Sequence, residues 1–223
     1  MVLFSFFDNF GMKKENYTFK VVFVGDAAVG KTQIINKFVN DKFDASYKLT
    51  VGVEFAPKVV DFENKKIKLQ LWDTAGQESY KSIIKNYYKD SHLIAFVYDI
   101  NTRDSFNSIL KYWVEDVKKQ NKDAKFLLVG NKCDLKEDKR QVTKEEAKKY
   151  AEDNNMKFIE VSAKTGEGIN DMFNYIISEL LKDMEKEKKE KIQVKNPNKD
   201  VELNHNNNDL SCWNKYCSCC PCL

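Results

Sequence analysis

Eight residues near the amino terminus combine glycine, lysine and a hydroxyl side chain in a spacing that suits phosphate. They run Gly25-Asp-Ala-Ala-Val-Gly-Lys-Thr32 and match the pattern G-x-x-x-x-G-K-S/T. The apolar run Tyr17–Val24 precedes them and predicts a strand, while a helical pattern follows. Backbone N–H groups and a helix N-terminus would then face the phosphates. We expect Lys31 to neutralise phosphate charge and Thr32 to ligate Mg²⁺; the alternative is a glycine-rich turn with an incidental lysine.

A second group, Asp73-Thr-Ala-Gly-Gln-Glu78, follows an apolar alternation at Ile67, Leu69 and Leu71. A carboxylate at the carboxyl end of a strand can hold Mg²⁺ through water, and Gly76 lets the backbone approach a phosphate. Alone, this pattern is more often a plain turn. Its position after a phosphate loop favours a metal site at Asp73.

Two further groups are placed to recognise a purine base. Asn131-Lys-Cys-Asp134 follows the apolar run Phe126–Val129, and Ser162-Ala-Lys164 follows Lys157–Val161. The Asp134 carboxylate can accept from the N1–H and the exocyclic amine of guanine, whereas adenine offers no such donor pair. We therefore expect GTP and GDP as ligands. In the alternative reading Asp134 caps a turn, which explains one of the two groups.

These loops need a sheet that brings them to one edge. Short apolar runs alternate along the chain with segments of three-to-four spacing, which predicts an α/β domain with a mostly parallel sheet. A hairpin around Glu63-Asn64 predicts one antiparallel edge strand, and the pattern Thr143-x-x-Glu146 predicts the start of a helix. In such sheets ligands bind at the carboxyl ends of the strands.

Composition divides the chain into three parts. Residues 1–16 are an aromatic-spotted extension, residues 17–184 one domain, and residues 185–223 have the composition of a flexible tether. Hydrophobic residues at 42% exclude global disorder, and no apolar run approaches the length of a membrane span. The 37 basic residues nearly balance the 34 acidic ones and include two arginines, which disfavours a nucleic-acid partner. We expect a cytoplasmic protein.

The last residues, Cys217-Ser-Cys-Cys-Pro-Cys-Leu223, allow three interpretations. The final four fit a C-a-a-X prenylation signal, with leucine favouring geranylgeranyl, and Cys219 and Cys220 are adjacent. A zinc knuckle would need four well-spaced ligands on an ordered scaffold, and a redox cluster is the third interpretation. Stable membrane attachment takes two signals, and the tail has little excess of basic over acidic residues to serve as one of them. Prenyl groups on Cys219 and Cys220 are therefore the expected anchor.

Taken in order, the four groups resemble those of the Ras-superfamily small GTPases, and the detail resembles the Rab family. The resemblance covers about residues 17–182 and includes Val51-Gly-Val-Glu-Phe55, Leu69–Glu78, Tyr87-Tyr88 and Val97-Tyr-Asp99. It implies the three-layer sandwich of P-loop NTPases, with a mostly parallel six-stranded sheet, one antiparallel edge strand and about five helices.

The resemblance also implies roles for individual residues. Phe43 would stack on guanine, Tyr47 would lie over the phosphates, and Gln77 would orient the attacking water beside Lys31. The metal ligands would be Thr32, Thr50 and Asp73, and the aromatic triad that effectors read would be Phe55, Trp72 and Tyr87. The full nucleotide-binding set would be Asp26, Ala27, Ala28, Val29, Gly30, Lys31, Thr32, Gln33, Phe43, Tyr47, Thr50, Gly76, Asn131, Lys132, Asp134, Ser162, Ala163 and Lys164.

A monomeric switch in vesicle traffic follows from the same resemblance. Its partners would be an exchange factor, a GTPase-activating protein, an escort protein or GDP-dissociation inhibitor, and effectors on the cytosolic face of intracellular membranes. The Gly-Val-Glu-Phe and Gln-Glu-Ser sequences are similar to the branch acting at the Golgi and early endosomes. Ala27 and Ala28 depart from the common phosphate loop and leave open a pseudo-GTPase without turnover. A Ras-like signalling GTPase is the other alternative, and Asp134 disfavours an ATP-dependent kinase.

Overall fold

The computed structural model of the chain describes residues 16–46, 49–77 and 81–195. Within these residues six strands form one sheet in the order β2-β3-β1-β4-β5-β6. The β2–β3 pair is antiparallel and the other neighbouring pairs are parallel, which confirms the predicted fold class. The strands are β1 (Asn16–Val24), β2 (Val53–Phe62), β3 (Lys65–Thr74), β4 (Leu93–Asp99), β5 (Lys125–Asn131) and β6 (Lys157–Val161).

Helices accompany the strands along the chain. They are α1 (Lys31–Asn40), α2 (Lys81–Tyr88), α3 (Arg103–Ser108), α4 (Val114–Gln120), α5 (Lys144–Asp153) and α6 (Ile169–Lys195). A π-helical turn, Ile109–Trp113, joins α3 to α4 without a break. The described residues therefore contain five helical rods, in agreement with the prediction.

Local sequence explains why the strands form where they do. All of β4 is buried, as expected for a central parallel strand covered on both faces. In β3 the apolar residues Ile67, Leu69 and Leu71 are fully buried and alternate with polar ones. The β2–β3 hairpin turns at Glu63 and Asn64, both with positive φ (47° and 62°), which is the backbone that a tight hairpin needs. The predicted edge strand is thereby confirmed.

The helices are held against the sheet by the residues that the spacing indicated. From the segment Arg103–Gln120, Phe106, Ile109 and Trp113 are buried in the core. The Thr143 side chain accepts a hydrogen bond from the Glu146 backbone N–H at 3.2 Å, so the predicted cap of α5 is present.

Helix α6 is described from Ile169 to Lys195 and so extends past residue 184, where the sequence places the end of the domain. Glu and Lys are strong helix formers, so a helix of that composition continues without an apolar face. By contacts between residues, the described chain divides after Asp183 into two units. None of the described helices has both the length and the apolar character required to cross a bilayer.

Five parallel strands place the chemistry at one edge. Strands β1, β3, β5 and β6 end directly before or within the four groups singled out by the sequence, and their carboxyl ends meet because these strands run in parallel. The loops that carry the groups therefore lie together.

Candidate active site

A cavity of about 310 Å³ lies at this edge, lined by residues from the first, second, third and fourth groups together. Of the predicted site residues, the lining contains Ala27, Ala28, Gly30, Lys31, Thr32, Gln33, Phe43, Thr50, Gly76, Gln77, Asn131, Lys132, Asp134, Ala163 and Lys164. Tyr47, Cys219 and Cys220 lie outside the described residues.

The phosphate loop depends on glycine where other parts of the protein come close. A Cβ at Gly25 would overlap the Val97 carbonyl of β4, and a Cβ at Gly30 would overlap the Asn131 side-chain amide. Both glycines also have positive φ (144° and 97°), and Ala28 between them has φ 64°. The loop therefore turns sharply before α1 begins at Lys31.

Lys31 is a buried cation at the base of this loop, with 5% of its surface exposed. Its ammonium donates to the carbonyl oxygens of Gly25 and Asp26, both at 2.8 Å. Burial lowers the pKa of Lys31 to about 8, and the nearby Asp73 and Asp26 carboxylates act in the opposite direction. A phosphate in the cavity would supply the negative charge that favours the ammonium form.

Three oxygen-bearing side chains, from the start of α1, the loop before β2 and the end of β3, converge beside Lys31. The Thr32 hydroxyl donates to Asp73 Oδ2 and lies 2.9 Å from the Thr50 hydroxyl, which is itself 3.4 Å from Asp73 Oδ2. Asp73 Oδ1 is buried and has no hydrogen-bond partner among the described residues. Burial raises the pKa of Asp73 to about 6, although the Thr32 hydrogen bond and Lys31 oppose the shift. An orphaned buried carboxylate oxygen among hydroxyl groups fits Mg²⁺.

The Asn131 side chain links the end of β5 to the phosphate loop and to the loop after β6. Its side-chain NH₂ donates to the Val29 carbonyl at 2.8 Å, and its Oδ1 accepts from the Ala163 N–H at 3.2 Å. The residue is 1% exposed, so these bonds are made in a desolvated setting. Val29 and Ala163 are thereby held at fixed positions around the cavity.

The Asp134 carboxylate, predicted to recognise the base, is positioned by two neighbouring side chains. Asp134 Oδ1 accepts from the Ser162 hydroxyl at 2.6 Å, and Asp134 Oδ2 lies 3.9 Å from the Lys164 ammonium. Ser162 itself is buried outside the cavity lining, so its part is to orient Asp134. Both groups predicted to read guanine therefore meet at one place.

The loop after β3 approaches the phosphate loop at a glycine. A Cβ at Gly76 would overlap the backbone N of Ala27 and the backbone of Asp26. Gln77, the next residue, lines the cavity together with Thr50. Phe43 lies at the rim and is 41% exposed.

Four of the nucleotide- and metal-binding residues predicted within the described chain do not line the cavity: Asp26, Val29, Asp73 and Ser162. Asp26 Oδ1 accepts from the Trp113 indole N–H at 2.8 Å and so faces the π-helical turn, while its backbone carbonyl binds Lys31. No spacing in the sequence indicates this bond, because the partners are 87 residues apart. Sequence reasoning also missed several residues of the lining: Asp44, Ala45, Ser46, Leu49 and Leu135.

The three aromatic residues predicted to contact effectors, Phe55, Trp72 and Tyr87, form a cluster outside the cavity. The ring centroids of Phe55 and Trp72 are 4.8 Å apart, and those of Trp72 and Tyr87 are 5.1 Å apart. Phe55 and Trp72 are directly opposite in the β2–β3 register, and Phe55 is 48% exposed. The fold thus brings together residues from β2, β3 and α2.

Comparison with known proteins agrees with this arrangement. A family model described as the Ras family matches residues 20–182. The chain is also 44% identical over 163 residues to the Ras-related protein Rab-4 of Dictyostelium discoideum, an alignment covering 73% of this chain and 78% of that protein. The range matched by the family model contains all four groups around the cavity.

Proposed function

Because the chain belongs to the Ras family of small GTPases and within it to the Rab group, we propose that its cavity holds GTP and Mg²⁺ through the residues described above. As a member of that family the protein is a GTP-binding switch that hydrolyses GTP to GDP and regulates vesicle traffic. A pseudo-GTPase is not favoured by this membership.

The proposal rests on one cavity that is lined both by groups suited to phosphate and by a carboxylate suited to a base. Lys31 and the phosphate loop supply positive charge and N–H donors, and Asp134 supplies a carboxylate held by Ser162. A nucleoside polyphosphate carries the complementary groups: phosphate oxygens for Lys31 and the N–H donors, and a base for the carboxylate. Because guanine has the N1–H and exocyclic amine that a carboxylate accepts, guanine is favoured over adenine.

For hydrolysis we assign separate tasks to separate residues. Gln77 orients the attacking water, and Lys31 stabilises the phosphate oxygens. Thr32, Thr50 and Asp73 would hold Mg²⁺, whose chemistry is to neutralise charge on the phosphate oxygens. Asp73 is well suited to this, since its buried Oδ1 has no partner among the described residues.

The same residues account for switching. Thr50 precedes β2, and Gly76 and Gln77 follow β3, so the loops that would contact the last phosphate flank the hairpin carrying Phe55 and Trp72. Loss of that phosphate would release both loops. The aromatic triad Phe55, Trp72 and Tyr87 would then present a different surface to effectors.

Membrane attachment is proposed to come from prenyl groups on Cys219 and Cys220, which lie outside the described residues. A prenylated switch of this family would cycle onto the cytosolic face of vesicles with an exchange factor, a GTPase-activating protein, an escort protein or GDP-dissociation inhibitor, and effectors as its partners. We propose Golgi or early endosomal vesicles on the sequences Gly-Val-Glu-Phe and Gln-Glu-Ser.

Nucleotide preference tests the assignment of the cavity. Purified protein should bind fluorescent GDP and not fluorescent ADP in a titration. Asp134→Asn should lose GDP affinity by about 100-fold and gain affinity for xanthosine diphosphate, because an amide presents a donor where the carboxylate accepted. Asp116→Asn, a surface carboxylate remote from the cavity lining, is the matched control and should bind GDP normally. Equal affinity of the unmodified protein for GDP and ADP would refute the assignment.

A further inference from the structure

A carboxylate at the end of β4 is paired with the lysine of the guanine-recognition loop. Asp99 Oδ2 lies 2.7 Å from the Lys132 ammonium, with the two side chains 10% and 35% exposed. Lys132 lines the cavity, whereas Asp99 is absent from the lining. Asp99 therefore does not line the cavity itself but contacts a residue that does.

The orientation of Asp99 is determined by its own turn. Its Oδ1 accepts from the Asn101 backbone N–H at 2.9 Å and from the Asn101 side chain at 3.2 Å, and its Oδ2 accepts from the Thr102 hydroxyl at 3.2 Å. Its backbone N–H donates to the Ser105 hydroxyl at 3.0 Å. Since none of these bonds involves Lys132, the turn itself fixes the carboxylate that receives the ammonium.

Lys132 needs support because its backbone is in the left-handed region, with φ 69°. A side-chain-bearing residue there carries a conformational cost, which surrounding contacts must offset. The Lys132 carbonyl accepts from the Leu135 N–H at 3.2 Å and from the Asn101 side chain at 3.5 Å. The last residue of β4 thus contacts the Lys132 ammonium, and the turn after β4 contacts its carbonyl.

We propose that Asp99 is a positioning residue for the guanine nucleotide: by holding the Lys132 ammonium, it keeps the loop Asn131-Lys-Cys-Asp134 in the conformation that retains bound nucleotide. The inference rests on the proposed function of this cavity. An unpaired lysine side chain samples many rotamers, and fixing it before binding lowers the entropic cost of association. Loss of one partner from a buried, hydrogen-bonded charge pair changes chiefly the dissociation rate, so nucleotide release is the step to measure.

The first test is the dissociation rate of fluorescent GDP from the full chain, measured by displacement with excess GDP. Asp99→Asn keeps the size of the side chain and an acceptor for Asn101 but removes the charge facing Lys132. We expect release about tenfold faster than from the unmodified protein. Asp116→Asn is the matched control, because Asp116 pairs with Lys85 at the same 2.7 Å, away from the cavity lining. Its release rate should not change.

A double-mutant cycle separates positioning from a general structural role. Lys132→Met keeps the aliphatic stem and removes the ammonium. If Asp99 acts through Lys132, adding Asp99→Asn to Lys132→Met should change the release rate by less than about twofold. Multiplication of the two single effects would overturn the inference, since Asp99 would then act by another route.

A further variant covers the case in which Asp99→Asn does not fold. Asn101→Ala removes the amide that contacts both Asp99 and the Lys132 carbonyl, and release should accelerate about threefold. An unchanged rate in both Asp99→Asn and Asn101→Ala refutes the inference while leaving the proposed function intact. Failure of the unmodified protein to bind GDP refutes the proposed function itself.

Discussion

Two buried side chains of opposite charge, Lys31 and Asp73, have their pKa values moved toward each other by the same cause. Desolvation lowers the pKa of Lys31 to about 8 and raises that of Asp73 to about 6, so their mutual attraction does not compensate for the water they have lost. Phosphate oxygens beside Lys31 and a divalent cation beside Asp73 would supply the missing compensation. The local electrostatics therefore fit a ligand that carries both.

Cys133 illustrates how burial controls reactivity at a single residue. Desolvation raises the pKa of its thiol to about 11, with Glu167, Glu160 and Asp134 adding to the shift. Since the thiolate is the nucleophile, we expect the folded GDP-bound protein to be alkylated by iodoacetamide at Cys133 about 100-fold more slowly at pH 7.5 than the denatured chain. Mass spectrometry of the peptide containing Cys133 measures the rate.

The raised pKa of Cys133 also makes the stability of the folded protein depend on pH. The folded state holds the Cys133 proton more tightly than the unfolded chain, so its stabilising contribution is complete below about pH 9 and is lost toward pH 11. The alkylation rate of the folded protein should keep rising through this window. A plateau near pH 9 would contradict the shift.

At the level of elements, the contact between the loop after β3 and the phosphate loop depends on Gly76 lacking a side chain. Alanine there would overlap the backbone N of Ala27, so one loop must move. We expect Gly76→Ala to slow single-turnover GTP hydrolysis at least tenfold, because Gln77 is the next residue and would be displaced. Radiolabelled phosphate release measures the rate.

GDP affinity serves as the internal control for Gly76→Ala. The contacts of Asn131 and Asp134 with their neighbours do not involve Gly76, so GDP should bind within about threefold of the normal affinity. Normal hydrolysis by this variant would mean that the two loops are not in contact when GTP is bound.

Elements whose signals are local could be predicted from the sequence. The alternation of Ile67, Leu69 and Leu71, the Glu63-Asn64 turn and the Thr143 cap all depend on neighbours within a few residues, and the structure contains each one. The placement of Lys31, Thr32 and the other motif residues around one cavity also follows, because motif spacing and strand order determine it.

Other features could not be predicted because they depend on residues far apart in sequence. The bond from Trp113 to Asp26 joins partners 87 residues apart, and the pairing of Asp99 with Lys132 requires the β4–β5 register. The π-helical turn that contains Trp113 has no counterpart in an ideal 3.6-residue spacing. Tertiary contacts determine these features, and single-sequence patterns carry no information about them.

For the molecule as a whole, the cavity and the expected membrane anchor lie in different parts of the chain. All residues lining the cavity precede Asp183, whereas Cys219 and Cys220 lie near the carboxyl end. A chain truncated after Asp209 should therefore bind GTP normally but remain out of the membrane fraction of cells. Pelleting and GTP titration measure the two properties.

The full-length double variant Cys219→Ser with Cys220→Ser is the matched control for this truncation. It keeps the rest of the tail, so loss of membrane association in both proteins would assign attachment to the cysteines. Continued pelleting of the truncated chain would instead point to the aromatic extension of residues 1–16.

The chain contains two arginines, and both form ion pairs with glutamates outside the cavity lining. Arg103 makes two hydrogen bonds of 2.6 Å to the Glu146 carboxylate, and Arg140 pairs with Glu160 at 2.8 Å. Neither arginine is among the residues that line the cavity. The chain therefore brings no arginine of its own to the phosphates within the described structure.

This arrangement predicts slow unassisted hydrolysis. Phosphoryl transfer depends on positioning and charge stabilisation, and an arginine supplied by a partner raises the rate by about 10³–10⁵. With Gln77 and Lys31 present and no arginine, we expect single-turnover hydrolysis near the intrinsic rate of a related switch, about 10⁻⁴ s⁻¹. Gln77→Leu should slow it further, because leucine cannot hydrogen-bond the attacking water. Turnover of about one per second by the purified protein, measured by phosphate release, would show that another group performs the task assigned here to a partner's arginine.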